Sequence, residues 1–354
     1  MSDTAPAATL EPAEHPAPAA TAEAPRPLLE VTDLVTRYRV PRGLIGTIAR
    51  RDKEWVHAVE GISFTVGAGE MVALVGESGC GKTTTAQTVM RMVPADSGSI
   101  RFDGTEISTL NSRALRPLRR EMQIIYQDPY ESLDPRFRVR DTVAEPLDIH
   151  GLAGSDAERE ERVAEALTLA GLTPTELYID RFPHELSGGQ RQRVAIAASM
   201  VLRPRLLVAD EPVSMLDVSV RAGILRLLDD LRTRGLGILM ITHDLSTAAH
   251  FADRICVMYL GRIVEQGPAR EVVRNPKHPY TQALISVVPK RDPRDSTRPQ
   301  ILTGETPNPV HVPPGCRFHP RCPVAVDSCR ETDPQLRPVD PAAGDGHDAA
   351  CLLL

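Results

Sequence analysis

Long apolar runs are missing from this sequence. No stretch approaches the roughly 20 apolar residues of a membrane-spanning helix, and the longest candidates, such as Leu236–Thr242, are strand-sized. The N-terminus lacks a basic region followed by an apolar core, so no secretory signal is expected and the chain is read as cytosolic. An excess of positive charge is also missing. The formal net charge is -6, which argues against a nucleic-acid partner, since such proteins usually carry a strongly basic face. Lysine is scarce: Lys53, Lys82, Lys277 and Lys290 are set against an abundance of arginine, which reads as a compositional bias and makes Lys82 stand out. Met1–Pro27 has almost no large apolar residue and is built from Ala, Pro, Thr and Glu, so it is expected to be a disordered tail. There is no internal repeat.

What is present fits a soluble globular chain of 354 residues, 42% hydrophobic and 25% charged, long enough for one large domain or two to three ordinary ones. Alternation over "LLEVTDLVTRYRV" predicts an early strand, and "RGLIGTIARRDKEWV" an inserted hairpin or short helix. "HAVEGISFTVGAGEMVALVG" reads as strand, glycine turn, strand. A helical pattern runs from Thr83 to Val93 and stops at Pro94. Glu158–Ala170 predicts an amphipathic helix with Val163, Leu167 and Ala170 on one face, and Arg221–Arg234 another helix. Leu206–Ala209 and Gly237–Thr242 are the short apolar runs of buried parallel strands. Strands alternating with helices imply an α/β core. "KRDPRDSTRPQ" reads as a linker, and the chain beyond Thr306 is rich in proline and cysteine.

Two segments look built to hold phosphate. G-E-S-G-C-G-K-T, Gly76–Thr83, follows the apolar strand Met71–Val75 and opens a helix, the context that a phosphate loop requires. Gly76, Gly79 and Gly81 let backbone N–H groups turn toward the phosphates, Lys82 brings a point charge, and the Thr83 hydroxyl can ligate Mg²⁺. The second segment is L-S-G-G-Q, Leu186–Gln190, whose glycines at a helix start form an anion nest. Between them in function stand three residues at strand ends. Asp210 and Glu211 close "LLVADE" and His243 closes "GILMITH", so all three face the ligand crevice of an open parallel sheet. Asp210 suits Mg²⁺, Glu211 a base that polarises water, and His243 the γ-phosphate. The bland alternative for the acids, two solvated loop residues, fits poorly with the apolar run before them.

In this order these elements resemble the nucleotide-binding subunit of ABC transporters, over about Leu28–Pro289. The resemblance rests on the phosphate loop, Gln127 in "IIYQDPY", "LSGGQ", "LLVADE", Asp217 in "SMLD" and His243. It implies a P-loop NTPase (RecA-like) α/β core, an α-helical subdomain at about 128–199, an antiparallel β subdomain, and a small Cys-rich extension from 290 to 354. It further implies that Tyr38 stacks on adenine and that Gly76, Ser78, Gly79, Cys80, Gly81, Lys82, Thr83 and Thr84 hold ATP. Thr83, Gln127 and Asp210 would serve Mg²⁺, and Glu211, His243 and Gln127 catalysis. Two cassettes pair head to tail in this family, so Ser187, Gly188, Gly189, Gln190 and Asp217 would serve a nucleotide bound mainly to another chain. That answers why one chain needs two cradles.

"YQDPYESLDPRF", "EPVSMLDVSVRAGIL" and "NPKHPYTQALISVVP" resemble the peptide- and nickel-importer branch in particular, with Met215 where alanine is usual. The implied partners are a second ATPase subunit (a paralogue, otherwise itself), two integral-membrane permease subunits at the cytoplasmic face, and indirectly an extracytoplasmic solute-binding protein. A soluble ABC ATPase of translation or DNA repair is the alternative, but it would carry two cassettes or long insertions, and neither is visible. A non-enzymatic protein would need a damaged cassette, and Lys82, Asp210, Glu211 and His243 are all in place.

Cys316, Cys322, Cys329 and Cys351 are spaced C-x5-C-x6-C-x21-C. A cytosolic compartment argues against disulfides, and zinc prefers the CxxC knuckles that are missing here. The importer branch carries a similar extension, and the resemblance implies a [4Fe–4S] cluster, with zinc next and unligated thiols third. His319 and His347 are spare candidate ligands, otherwise surface histidines. Cys80 sits where a helix dipole should favour its thiolate, and alkylating it should block ATP sterically. Cys256 is expected to be buried and inert.

Overall fold

The apolar runs become strands buried on both faces. The computed structural model describes residues 26–40, 54–128, 132–288, 300–342, 344 and 346–354. Nearly all of the expected disordered tail, most of the inserted segment and nearly all of the linker lie outside those residues. Strand β1 (Leu29–Arg39) pairs antiparallel with β2 (Trp55–Val66), a turn leads to β3 (Met71–Val75), and helix α1 (Lys82–Val89) follows the loop after it. That helix ends earlier than the pattern to Val93 suggests, because the chain turns at Met90 before reaching Pro94. Then come β4 (Ser97–Phe102), β5 (Thr105–Glu106), α2 (Ser112–Glu121) and β6 (Met122–Ile125).

Three helices follow: α3 (Val139–His150), α4 (Asp156–Leu169) and α5 (Gly188–Met200). Their ends carry their own stops. Gly151 caps α3 in the left-handed conformation, and Ser155 accepts the Glu158 N–H at the start of α4. Val163, Leu167 and Ala170 are all buried, as their spacing requires. The chain continues through β7 (Leu206–Asp210), α6 (Val218–Thr233), β8 (Gly237–Thr242), α7 (Leu245–Phe251), β9 (Arg254–Tyr259) and β10 (Arg262–Pro268). Two further helices, α8 (Ala269–Arg274) and α9 (Pro279–Ser286), precede two short strands, β11 (Arg337–Pro338) and β12 (Asp348–Ala349).

The strands form two sheets. One is antiparallel, ordered β2-β1-β4-β5; the other is ordered β11-β12-β10-β9-β3-β8-β7-β6, with β9, β3, β8, β7 and β6 parallel. Along β3, Met71, Ala73 and Val75 face a core shared with α3, α4, α5 and α6, while Val72 and Leu74 face a core shared with the antiparallel sheet. That double burial is why β3 reads as a continuous apolar run rather than an alternating one.

The C-terminal segment joins the same architecture. Strand β12 pairs with β10 through Glu265↔Ala349 and Gln266↔Asp348. Phe318 is buried against Tyr259 and Tyr280 in the larger core. His347, anticipated on the surface, is instead 2% exposed and bonded to the fully buried Glu265 at 2.8 Å. Glu265 also accepts the N–H groups of Lys277 (2.8 Å) and His278 (2.9 Å), tying β10 to the start of α9. His319 is half-buried, its Nδ1 2.9 Å from the Cys316 carbonyl.

Candidate functional site: a nucleotide cleft

Parallel register decides which residues meet. Val75 lies opposite Thr242, and Asp210 opposite Ile241. The residues that follow on each strand, Gly76, Glu211 and His243, therefore leave the sheet along one edge. They open a cleft of about 580 Å³ whose lining includes Tyr38, Lys82, Thr83, Gln127, Glu211 and Pro309. Ser78, Gly79, Gly81, Thr84 and His243 line it too.

The loop from Gly76 to Gly81 is shaped by close approach. A Cβ at Gly76 would stand 2.2 Å from the Met258 carbonyl oxygen, and one at Gly81 would stand 2.1 Å from that of Ala58. Gly81 also has φ +109°, where a side chain is strained. Gly79 has φ +79° but meets nothing within 4 Å, so it turns toward the open cleft. The Lys82 ammonium donates to the carbonyls of Gly76 (2.8 Å) and Glu77 (2.9 Å), which holds its charge over the loop. Thr83 donates to Asp210 at 3.4 Å. Burial raises the Asp210 carboxyl above its ordinary range, the nearby Glu211 charge adds to this, and the Thr83 hydroxyl opposes it. A largely buried acid beside a hydroxyl, with its charge incompletely compensated, fits a divalent cation.

Across the cleft, Glu211 Oε2 accepts from Gln127 Nε2 at 3.2 Å and lies 3.2 Å from His243 Nδ1. Glu211 itself has φ +45°, a left-handed backbone for a non-glycine residue, pinned by its N–H donating to the Ile241 carbonyl at 2.9 Å. Conformations of this kind cost on the order of 1–3 kcal/mol and cluster at functional sites.

The L-S-G-G-Q segment does not enter this cleft. Ser187 caps α5: its hydroxyl accepts the Gln190 N–H at 3.3 Å while the Gln190 side chain accepts the Ser187 N–H at 2.9 Å. Gly189 is fixed by packing, since a Cβ there would stand 2.3 Å from Val220 Cγ1. Asp217 is exposed at the N-terminus of α6, and Gly188 opens α5. One chain thus brings together Tyr38, the phosphate loop, Gln127, Glu211 and His243, and leaves Ser187, Gly188, Gly189, Gln190 and Asp217 outside.

Cys80 departs from the sequence expectation. It is 2% exposed, turned into the core rather than into the cleft, and burial pushes its thiol up despite the opposing pull of Lys82. With so little of its surface exposed, the thiol offers an alkylating reagent no open path. Cys256 is buried as expected, its thiol pushed up to about 12 by burial. The four extension cysteines lie close enough to sense one another: charges on Cys329 and Cys322 bear on Cys316, and those on Cys351 and Cys329 on Cys322. Yet among the described residues no group of three or more His, Cys, Asp or Glu side chains is disposed to hold a metal ion, so the [4Fe–4S] expectation is unsupported. Sequence reasoning missed Glu77, Val56, Ala58 and Pro309. None of them sits at a motif position that chemistry alone would select.

Comparison with known proteins agrees with this geometry. Residues 59–214 match the ABC transporter family and residues 264–329 the oligopeptide/dipeptide transporter C-terminal region. The di/tripeptide transport ATP-binding protein DppF of Pseudomonas aeruginosa is 45% identical over 328 residues, 92% of this chain and 99% of that one. The chain belongs to the ATP-binding subunits of ABC transporters. The oligopeptide transport ATP-binding protein AppF of Bacillus subtilis is likewise 42% identical to this ATP-binding subunit over 330 residues, 92% of this chain and 97% of that one. An ATP-binding cassette solved as a dimer in a post-hydrolysis state, bound to ADP and Pi, superposes with a TM-score of 0.59 at 27% identity. It covers 68% of this chain and 99% of its own. Relatives named for transport, together with the matched C-terminal region, do not favour the translation or repair alternative. No helix of the described residues is long and apolar enough to cross a membrane.

Proposed function

We propose that this subunit binds Mg²⁺–ATP in the cleft and hydrolyses it to drive peptide uptake through a membrane permease. The observation that carries the reading is the Glu211 carboxylate, within 3.2 Å of both Gln127 and His243 and facing the phosphate loop across one cavity. Lys82 and the loop N–H groups take the β- and γ-phosphates, and Tyr38, 37% exposed in the cleft wall, stacks on the base. Glu211 orients and deprotonates the attacking water, His243 contacts the γ-phosphate, and Gln127 links Glu211 to the segment that leads into α3. Thr83, Asp210 and Gln127 would hold Mg²⁺, which supplies charge neutralisation to the triphosphate. Ser187, Gly188, Gly189, Gln190 and Asp217 complete the site of a second cassette, a paralogue or another copy.

The same reading divides the chain into a cassette at 28–289, with its helical part at about 128–199, and an extension at 290–354. It places the subunit on the cytoplasmic face, against two permease subunits fed by an extracytoplasmic peptide-binding protein. Peptide as the solute is supported by the names of the relatives and the match at 264–329. The four cysteines are proposed as ligands of a cluster, or of zinc; iron and sulfide analysis of anaerobically purified protein decides between the two. Purification of the native complex tests the whole reading: permease subunits and peptide-stimulated ATPase activity should come with the chain. Recovery with ribosomes or repair proteins instead would refute it.

A further inference from the structure

Glu77, the second residue of the phosphate loop, is held from every side. Its carboxylate accepts from Arg321 Nη1 (2.8 Å), Arg321 Nη2 (3.2 Å) and the Thr306 hydroxyl (2.8 Å). Its N–H donates to the Tyr280 hydroxyl at 2.9 Å, and its carbonyl accepts from Lys82 at 2.9 Å. Arg321 is nearly buried, its side chain 8% exposed, and its guanidinium lies 5.9 Å from the centre of the Tyr259 ring. Arg321 and Thr306 come from the C-terminal segment, 244 and 229 residues from Glu77. A third contact lies at the other end of the cleft. The Pro309 carbonyl accepts the His57 N–H at 3.0 Å, and Pro309 lines the cleft with Tyr38 and Val56.

We propose that the segment Thr306–Arg321 is a working part of the nucleotide site: Arg321 positions the phosphate loop through Glu77, and Pro309 forms a wall at the base end. The physical reason is electrostatic as well as steric. Glu77 is an anion in a loop that must receive a polyanion. Paired with Arg321 its charge is compensated and its backbone carbonyl stays where Lys82 bonds to it. Unpaired, the carboxylate would repel the triphosphate and the loop would lose its anchor. Arg321 is a positioning residue, because its partner is the loop and not the nucleotide. The inference rests on the reading of Gly76–Thr84 as the triphosphate site.

The test compares Arg321→Gln, Arg321→Lys, Glu77→Gln, the Glu77→Gln/Arg321→Gln double variant and Pro309→Gly in the full chain. Dissociation constants are measured for ATP and for inorganic tripolyphosphate, with KM and kcat alongside. Arg321→Gln should weaken both ligands about tenfold, through KM rather than kcat. The double variant should regain much of that loss, because the unpaired carboxylate is gone, and Arg321→Lys should fall in between. Pro309→Gly should weaken ATP severalfold and leave tripolyphosphate unchanged. A purely structural role would lower thermal stability in these variants without moving either dissociation constant, and that result overturns the proposal. So does a double variant at least as impaired as the sum of its singles. Should Arg321→Gln not fold, Arg321→Lys and the double variant still decide. Failure of the wild-type chain to bind tripolyphosphate or ATP would instead refute the reading of the loop.

Discussion

Replacing Glu211 by glutamine separates binding from chemistry. The amide has the carboxylate's shape, and its oxygen can still accept from Gln127 Nε2, which stands 3.2 Å from Glu211 Oε2 in the native site. Lys82 and the loop glycines are untouched, and the 2.9 Å bond from the Glu211 N–H to Ile241 that fixes the left-handed turn is a backbone contact. The fold and the ATP dissociation constant should therefore survive. What is lost is the proton acceptor. A positioned general base contributes about 10²–10⁴-fold to rate, so the variant should lose ~2.7–5.4 kcal/mol of transition-state stabilisation. Steady-state phosphate release and equilibrium ATP binding, measured on the same preparation, give the two numbers. Turnover within about threefold of wild type would remove Glu211 from the role assigned to it. A parallel loss of ATP affinity would show that Glu211 builds the cleft rather than acting in it.

Glu265→Ala strips three donors of their shared acceptor, the buried His278 N–H and His347 ring nitrogen and the part-buried Lys277 N–H. Denaturant unfolding should register a loss of about 3–5 kcal/mol, and a loss under 1 kcal/mol would mean that water replaces the carboxylate. Glu77 gives a pH signature. Burial alone would raise its carboxyl, but hydrogen bonds from Arg321 and Thr306 and the charges of Arg321 and Lys82 outweigh that and hold it below the ordinary range. A depressed folded value means stability that is present above the unfolded pKa of about 4.3 and lost as pH falls through the folded one. The stability gap between wild type and Glu77→Gln should accordingly narrow below that pH, and a constant gap from pH 7 to pH 3 would contradict the pairing.

Much of the cleft was legible in the sequence because its parts are local. The phosphate loop carries its flanking strand and helix with it, and the apolar runs before Glu211 and His243 mark parallel strands whose ends share one edge. The positive φ of Glu211 was not legible, since nothing in "LLVADEP" distinguishes a turned residue from an extended one. Cys80 misled because a helix-dipole argument considers only the helix, while the neighbours that bury this thiol come from other elements, Met258 of β9 among them. The Glu77–Arg321 pair and the burial of His347 depend on contacts across 244 and 82 residues. No periodicity or spacing rule reaches that far, so nothing in the small Cys-rich extension announced that it supplies the outer strands of the main sheet and lines the cleft at Pro309.

The central claim is that the site is shared. Ser187 and Gly189 stand outside the cleft of their own chain, and the proposed function has them act on the nucleotide of another. The decisive measurement is the ATPase rate per chain as its concentration, or that of its partner cassette, is raised, for wild type and for Ser187→Arg. The account predicts a wild-type rate that climbs with concentration. It also predicts a Ser187→Arg chain that binds ATP normally at its own phosphate loop and fails to activate the site it faces. A concentration-independent rate, equal in the two proteins, would contradict it.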